Sequence, residues 1–292
     1  MAEQFHSRGS IDPGERGASE GAIQAHYDLG NDFYSLWLDS SMTYSCAIWE
    51  SDHDTLEEAQ NRKIDYHIRQ AGAQDAANVL EIGCGWGSCL SRLTSKYNVK
   101  HAVGLTLSNA QADWISKLDL INTEIRIENW IDHSPEQQYD AILSIAAMPH
   151  FVKPELGSIE RVQVYREFFE RCYDWLKPGG RLSIETQVYG CGEYVPHSPL
   201  SGVFPESDMP RFHELASGFD GIFDIESVVN HRRHYPRTLR NWLENLENSR
   251  ESASSFTDSD VVEKFSRFLK AGIKGHSAGI FALIRLNLSK AW

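Results

Sequence analysis

The chain has 292 residues, with 28 Lys and Arg against 41 Asp and Glu and a formal net charge of −13. That length supports one large α/β domain or two small ones with a sizeable core, and 24% charged with 41% apolar residues excludes a disordered or fibrous chain. An acidic balance of this size offers no footprint for phosphate neutralisation and no general adhesion to anionic membrane, so neither nucleic acid nor stable membrane association is expected. The five cysteines Cys46, Cys84, Cys89, Cys172 and Cys191 are odd in number and form no CxxC pair, which points to reduced thiols rather than a disulfide framework. No run approaches the roughly 20 apolar residues of a membrane helix, and the first residues lack a basic-then-apolar signal pattern. The expectation is a soluble, cytoplasmic protein.

Residues 1–20 are rich in Gly, Ser and Glu without apolar periodicity and read as a loose tail. Residues 21–72 read as an N-terminal helical lid: an aromatic-dense stretch (His26, Tyr27, Phe33, Tyr34, Trp37, Tyr44, Trp49) precedes a helix over 55–71, with Leu56, Ala59, Lys63 and Tyr66 at helical spacing. A strict alternation follows over 73–292. Strands are expected at 78–83, 102–107, 125–127, 139–147 and 181–188, and helices at 88–97, 110–120 and 161–176, the last stopped by Lys-Pro-Gly-Gly at 177–180. Such alternation implies an α/β fold, doubly wound, with a parallel sheet covered on both faces. Residues 278–288 read as a last strand, and the Pro-rich stretch from 189 to about 245 as an inserted cap.

Glu81-Ile-Gly-Cys-Gly-Trp-Gly87 closes the first strand with G-x-G-x-G. Missing side chains there let the backbone turn tightly and a ligand press against it at the strand's carboxyl end. A dinucleotide site needs G-x-G-x-x-G and an acid about 20 residues on. Here Ser88 stands at the third glycine's place and the second strand ends in Gly104-Leu-Thr-Leu-Ser108 without an acid, which disfavours NAD. An acid before G-x-G-x-G resembles instead motif I of the class I S-adenosylmethionine (SAM) methyltransferases. The plain alternative is a glycine turn used only for packing.

Three further stretches narrow the resemblance: His26-Tyr-Asp-Leu-Gly-Asn-Asp-Phe-Tyr34, Met42-Thr-Tyr-Ser-Cys-Ala47, and GLTLSNAQ over 104–111. With LEIGCGWG (80–87) they are similar to the cyclopropane-fatty-acid synthase and mycolic-acid methyltransferase family, over about 20–151 and again at Phe204-Pro, at 234–239 and in the final strand. The resemblance implies a mostly parallel seven-stranded, Rossmann-like class I fold and SAM as co-substrate, with no metal. It places Tyr44 and Ser45 over the methionine part of SAM, Glu81, Gly83 and Gly85 along it, Thr106, Leu107, Ser108 and Gln111 on the ribose side, and Asn129 and Trp130 by the adenine. A sulfonium cation is drawn to aromatic faces by about 0.5–2 kcal/mol, which agrees with this set.

The catalytic half departs from the family. Members that methylate an alkene hold a bicarbonate-type base between a Cys, a Glu in a G-A-F-E-H-F-like segment, a His ending the fifth strand and a later Tyr. Cys46 and Tyr235 match, but Pro149 stands at the Glu and Glu185 at the His. A proline offers no acceptor, and a second carboxylate repels an anion, so bound bicarbonate is not expected. Glu185 is expected to stand in as a built-in general base; the alternative is a Glu satisfied by an Arg or a hydroxyl. His150 is a second base candidate, or else a hydrogen-bonded wall residue. Cys46 reads as a small wall residue with a hydrogen-bonding backbone rather than a nucleophile. Tyr27, Trp37, Tyr189 and Tyr235 are candidate walls around a cationic intermediate.

Only 18 positions separate Thr186 from Phe204, and this shortened insertion, with Ser198, Pro199 and 204–210, favours a compact acceptor. The expectation is therefore methyl transfer to carbon or nitrogen of a small molecule. A SAM-dependent cyclase or cyclopropane-forming enzyme, a lipid or carrier-bound acyl methyltransferase, and a silent SAM-binding subunit are the rival readings. For an acidic carrier, Arg232, Arg233, Arg237 and Arg240 would supply a local basic face, unless they are only a solvated helix surface.

Overall fold

The computed structural model describes residues 16–191 and 202–291. Seven strands form one sheet in the order β3-β2-β1-β4-β5-β7-β6: β1 Val79–Ile82, β2 Ala102–Thr106, β3 Thr123–Ile127, β4 Tyr139–Ile145, β5 Leu176–Tyr189, β6 Asp224–Asn230 and β7 Phe281–Ser289. Strands β1 to β5 pair in parallel, while β7 runs antiparallel between β5 and β6. The expected doubly wound α/β sheet is present. Its central strands are apolar because helices cover both faces: β1 and β2 are buried throughout and β4 nearly so.

The helices that fix the site start where local chemistry says they should. Helix α3 (Leu56–Gln70), after α1 (Glu20–Tyr27) and α2 (Asn31–Ser35), opens on a capping box. The Thr55 hydroxyl accepts the Glu58 N–H at 3.2 Å and the Glu58 carboxylate accepts the Thr55 N–H at 2.9 Å. Helix α4 (Ser88–Ser95) leaves the glycine loop after β1, and α5 (Asn109–Ser116) is capped by Ser108, whose hydroxyl accepts the Gln111 N–H.

Three differences from expectation have local causes. Lys177 to Gly180 do not form a loop: helix α6 (Ser158–Trp175) passes directly into β5, whose first residue, Leu176, pairs with Tyr139, and a register shift follows. The last strand starts at Phe281 because Ala278 still belongs to a long helix, closed by Gly279 at φ +81°. The stretch read as a cap is divided. Helix α7 (Phe212–Phe219) packs on the sheet side, β6 joins the sheet, and α8 (Tyr235–Asn248) lies over the site. Strand β6 escapes a sequence reading because it is an edge strand, largely exposed, with Ile225 57% accessible. Ser198 and Pro199 lie outside the described residues.

Two cores pack against the sheet. Phe168, Phe169 and Trp175 of α6 meet Phe219 on one side, and Ile64 and Ile68 of α3 meet Leu90 and Leu93 of α4 on the other. A third, aromatic core joins the lid to the chain's end: Phe33, Tyr34 and Trp37 pack with Trp242 of α8 and with Phe265 and Leu269 of α10 (Ser259–Ala278), which follows α9 (Arg250–Phe256). Each such side chain contributes about 1.5–3 kcal/mol when fully buried, so the lid is held by the body of the protein.

Candidate active site

A cavity of about 940 Å³, its open mouth included, lies beyond the carboxyl ends of β1, β2 and β4. The loop after β1 shapes its floor. Gly83 has φ +77°, and a Cβ there would stand 2.6 Å from the Ala147 Cβ, so no other residue fits. The Gly83 and Cys84 N–H groups both donate to the Leu105 carbonyl, at 3.0 and 2.9 Å, folding the loop back on β2. Gly85, at φ +54°, has open space where a side chain would stand. Two non-glycine residues in the left-handed region, Met42 (φ 58°) and Ala146 (φ 63°), also line this cavity. Backbone strain of that kind collects at ligand sites.

The structure brings nearly all of the expected cofactor residues to this one place: Tyr44, Ser45, Glu81, Gly83, Gly85, Thr106, Leu107, Gln111, Asn129 and Trp130 line it. Ser108 does not. It caps α5, and its hydroxyl donates to Asp28 at 2.5 Å, tying the helix to the lid. The Thr106 hydroxyl donates to the Gln111 side-chain oxygen at 2.7 Å, which leaves the amide nitrogen for a ligand. Glu81 is buried, and its Oε2 has no hydrogen-bond partner. Burial pushes its carboxyl up to about 8, against the opposing pull of Lys63. A buried unpartnered carboxylate is costly unless a ligand supplies the counter-charge, and the ammonium of a methionine moiety does so. The donor set therefore fits SAM.

Residues that the sequence did not single out complete the site. Lys63 lines the cavity, fully buried, with Nζ 2.6 Å from the Ser45 hydroxyl. A lysine on the apolar stripe of an amphipathic helix was the available signal. Glu128, just past β3, also lines the cavity and accepts from His133.

A second cavity, about 590 Å³ with its mouth, adjoins the first, and Tyr27, Tyr44, Ala146 and His150 line both. Its remaining wall is largely apolar: Pro149, Phe204, Met209, Leu239, Trp242 and Phe268. Asp208 belongs to it but is engaged, accepting from Arg161 at 2.7 Å and from the Tyr189 hydroxyl at 2.5 Å. Tyr235 lines it, its hydroxyl accepting from Gln187 at 3.1 Å. Of the four aromatic walls expected, Tyr27 and Tyr235 are in place; Trp37 is in the lid core and Tyr189 is turned to Asp208.

Glu185 needs a correction. It lines neither cavity and is completely buried behind the Ser45–Cys46 turn. Oε1 accepts the Cys46 N–H at 3.1 Å, and Oε2 takes Arg285 Nε at 2.8 Å and Nη2 at 2.6 Å. Burial alone would raise its carboxyl, but Arg285, aided by His67 and Lys63, holds it down at about 2. An acid so strongly held ionised and shut away from both cavities is a poor proton acceptor. The built-in base gives way to the alternative of a Glu satisfied by an arginine. Cys46 lines neither cavity, and burial pushes its thiol up. Its backbone does the work, the N–H on Glu185 and the carbonyl accepting from Arg285 at 2.8 Å. Two of the four arginines are also tied down: Arg237 stacks 4.0 Å from the Trp49 ring and donates to the Ser51 and Asp52 carbonyls, and Arg232 donates to the His276 carbonyl.

Comparison with known proteins decides the family. The mycolic acid cyclopropane synthetase family model matches residues 15–286. The chain belongs to that family. Among curated relatives, the S-adenosylmethionine-dependent methyltransferase UmaA of Mycobacterium tuberculosis is 32% identical over 289 residues, covering 91% of this chain and 96% of UmaA. Cyclopropane mycolic acid synthase 3 of the same species is 32% identical over 292 residues, with 92% and 97% covered. The solved cyclopropane synthase MmaA2 from M. tuberculosis superposes with a TM-score of 0.85 at 30% identity, over 94% of this chain and 99% of that one. This member of the mycolic acid cyclopropane synthetase family is thus a SAM-dependent methyltransferase, with the seven-stranded class I fold of its relatives. Among the described residues no cluster of metal ligands occurs, and no helix is long and apolar enough to cross a membrane.

Proposed function

We propose that the protein transfers the SAM methyl group to an unsaturated carbon of an acyl-type, lipid-like acceptor. The second cavity carries this reading. It opens onto the SAM pocket at Tyr27 and Tyr44, and its wall is dominated by aromatic and aliphatic side chains. An amine acceptor would want a free carboxylate, and the carboxylate there, Asp208, is already bound by Arg161 and Tyr189. The relatives named above include a cyclopropane mycolic acid synthase, and the acyl alternative therefore displaces the compact small-molecule acceptor that the short insertion suggested.

SAM supplies an electrophilic methyl on a sulfonium. In this reading the Glu81 carboxylate holds the ammonium, the Gly83 and Gly85 backbone lies along the methionine part, Thr106 and Gln111 face the ribose, and Asn129 and Trp130 the adenine. Tyr27, Tyr44 and Trp242 line the second cavity, and an aromatic ring whose face meets the acceptor favours positive charge on it by about 0.5–2 kcal/mol. Glu185 and Arg285 hold the Ser45–Cys46 turn against the pocket, doing with a resident ion pair what a bound anion would otherwise do.

The test is to incubate the purified protein with SAM and either phospholipid vesicles bearing cis-monounsaturated chains or an unsaturated acyl thioester. S-adenosylhomocysteine (SAH) release is followed together with the mass of the acyl chain. The expected result is SAH release matched by an acyl mass gain of one methylene. Turnover with small amines and none with any acyl acceptor would overturn the proposal.

A further inference from the structure

A transferred methyl leaves a proton to be removed, and neither position where the family resemblance places an acid or base serves here. The Pro149 side chain has no acceptor, and Glu185 is sealed behind the Ser45–Cys46 turn by Arg285. The titratable side chains that line both cavities are Tyr27, Tyr44 and His150. Two of them are joined. Tyr27 Oη lies 3.2 Å from His150 Nε2, and His150 Nδ1 lies 2.7 Å from Ser207 Oγ. The three come from distant parts of the chain: α1, the short 3-10 turn Met148–His150 after β4, and the segment after Phe204. The backbone fixes this meeting. The Ala18 N–H donates to the His150 carbonyl at 2.9 Å, His150 N–H to Ala147 at 3.0 Å, and Asp208 N–H to Pro149 at 3.0 Å.

We propose that Tyr27, His150 and Ser207 form a proton relay that takes the proton released after methyl transfer from the junction of the two cavities to the rim of the second. The inference rests on the unsaturated-acceptor reading above. The alkene π pair forms a bond to the methyl carbon while the carbon–sulfur pair leaves with sulfur, and the acceptor becomes a carbocation. A neighbouring C–H then gives its electron pair to close a ring or form a double bond. Its proton goes to Tyr27 Oη as the phenolic proton passes to His150 Nε2, and the Nδ1 proton passes to Ser207 and on to water. The tautomer this requires has Nδ1–H donating to Ser207 and Nε2 accepting from Tyr27.

Burial supports the direction of flow, holding the His150 imidazole down at about 4 and hence neutral with a free lone pair. So weak a base would be poor for an amine, but protons beside a carbocation are acidic enough to leave to it. Ser207 is only half-buried and offers the way out.

The relay is tested with Tyr27→Phe, His150→Gln and Ser207→Ala, measuring SAH release and the acyl product separately. The expected outcome is a split: in His150→Gln the proton-loss product falls about a hundredfold relative to the SAH released, and a water-trapped alcohol replaces it. A histidine that merely shapes the wall would move both readouts together, and that result, or unchanged products in all three variants, overturns the relay. Nitrogen-15 histidine spectra of the free protein give an independent reading. Tyr27→Phe and Ser207→Ala must each shift one ring nitrogen of His150, and no shift in either overturns the relay even if a variant is inactive. Failure of the parent protein on every acyl acceptor would instead sink the acceptor reading, and the relay would then stand or fall on those spectra.

Discussion

Glu81 is sensitive to pH and to ligand, because its carboxyl is buried with one oxygen unpartnered. Its ordinary value is 4.5, and burial raises it to about 8 in the folded chain. Between those values the unfolded chain has lost the proton and the folded chain keeps it. Stability that is full below pH 4.5 therefore declines as pH rises toward 8, by up to about 5 kcal/mol for this group. Glu81→Gln should flatten that decline and leave the free protein more stable than the parent near pH 8, as chemical unfolding at a series of pH values will read. The same substitution should weaken SAH binding by tenfold or more, because the ammonium loses its counter-charge. Binding to the parent below pH 8 should release a proton, visible by calorimetry in buffers of different ionisation heat; equal stability curves for parent and variant would contradict the assignment. This residue was legible in the sequence because an acid before a glycine loop is a local pattern. Lys63, whose ammonium meets Ser45 from another helix, was not, since its role depends on where α3 packs.

At the scale of elements, the Ser45–Cys46 turn is clamped by β5 and β7, Glu185 on the Cys46 N–H and Arg285 on its carbonyl. Glu185 and Arg285 face each other because β5 and β7 pair them directly in register. A sequence reading could place Glu185 at a strand end but could not pair it with a residue 100 positions away. Removing one member of a buried ion pair typically costs about 3–5 kcal/mol, because it leaves the other charge unpaired. Arg285→Met should therefore destabilise by about that much. The double variant Glu185→Gln with Arg285→Met should regain part of the loss in a double-mutant cycle read by urea unfolding. Turnover of the parent should be indifferent to added bicarbonate, since the Cys46 N–H is already occupied. Two results would restore the general-base role that the geometry removes: Glu185→Gln abolishing turnover without a change in unfolding free energy, or strong bicarbonate activation.

For the whole molecule, the parallel half of the sheet was legible because its strands are short, buried apolar runs bounded by turns, as in Val79–Ile82 and Tyr139–Ile145. The edge strand β6 and the union of the lid with the last helices were not, since both depend on contacts between distant segments. Trp37 shows how complete that union is. It is fully buried, with its ring 5.2 Å from Tyr44, 5.9 Å from Trp242 and 6.0 Å from Phe265. Tyr44 in turn lines both cavities, so the aromatic core and the ligand site share a wall. Trp37→Ala should cost about 3–5 kcal/mol by leaving a cavity, and it should weaken SAH binding although Trp37 touches neither cavity. Saturating SAH at about a hundred times its Kd stabilises the folded chain by about 2.7 kcal/mol, short of what the substitution removes. If lid, sheet and C-terminal helices are one cooperative unit, far-ultraviolet dichroism and tryptophan fluorescence will trace a single melting transition in parent and variant alike, displaced downward by Trp37→Ala and upward by SAH. A separate low-temperature lid transition in the variant, with sheet melting and SAH affinity unchanged, would show instead that the lid is an independent flap.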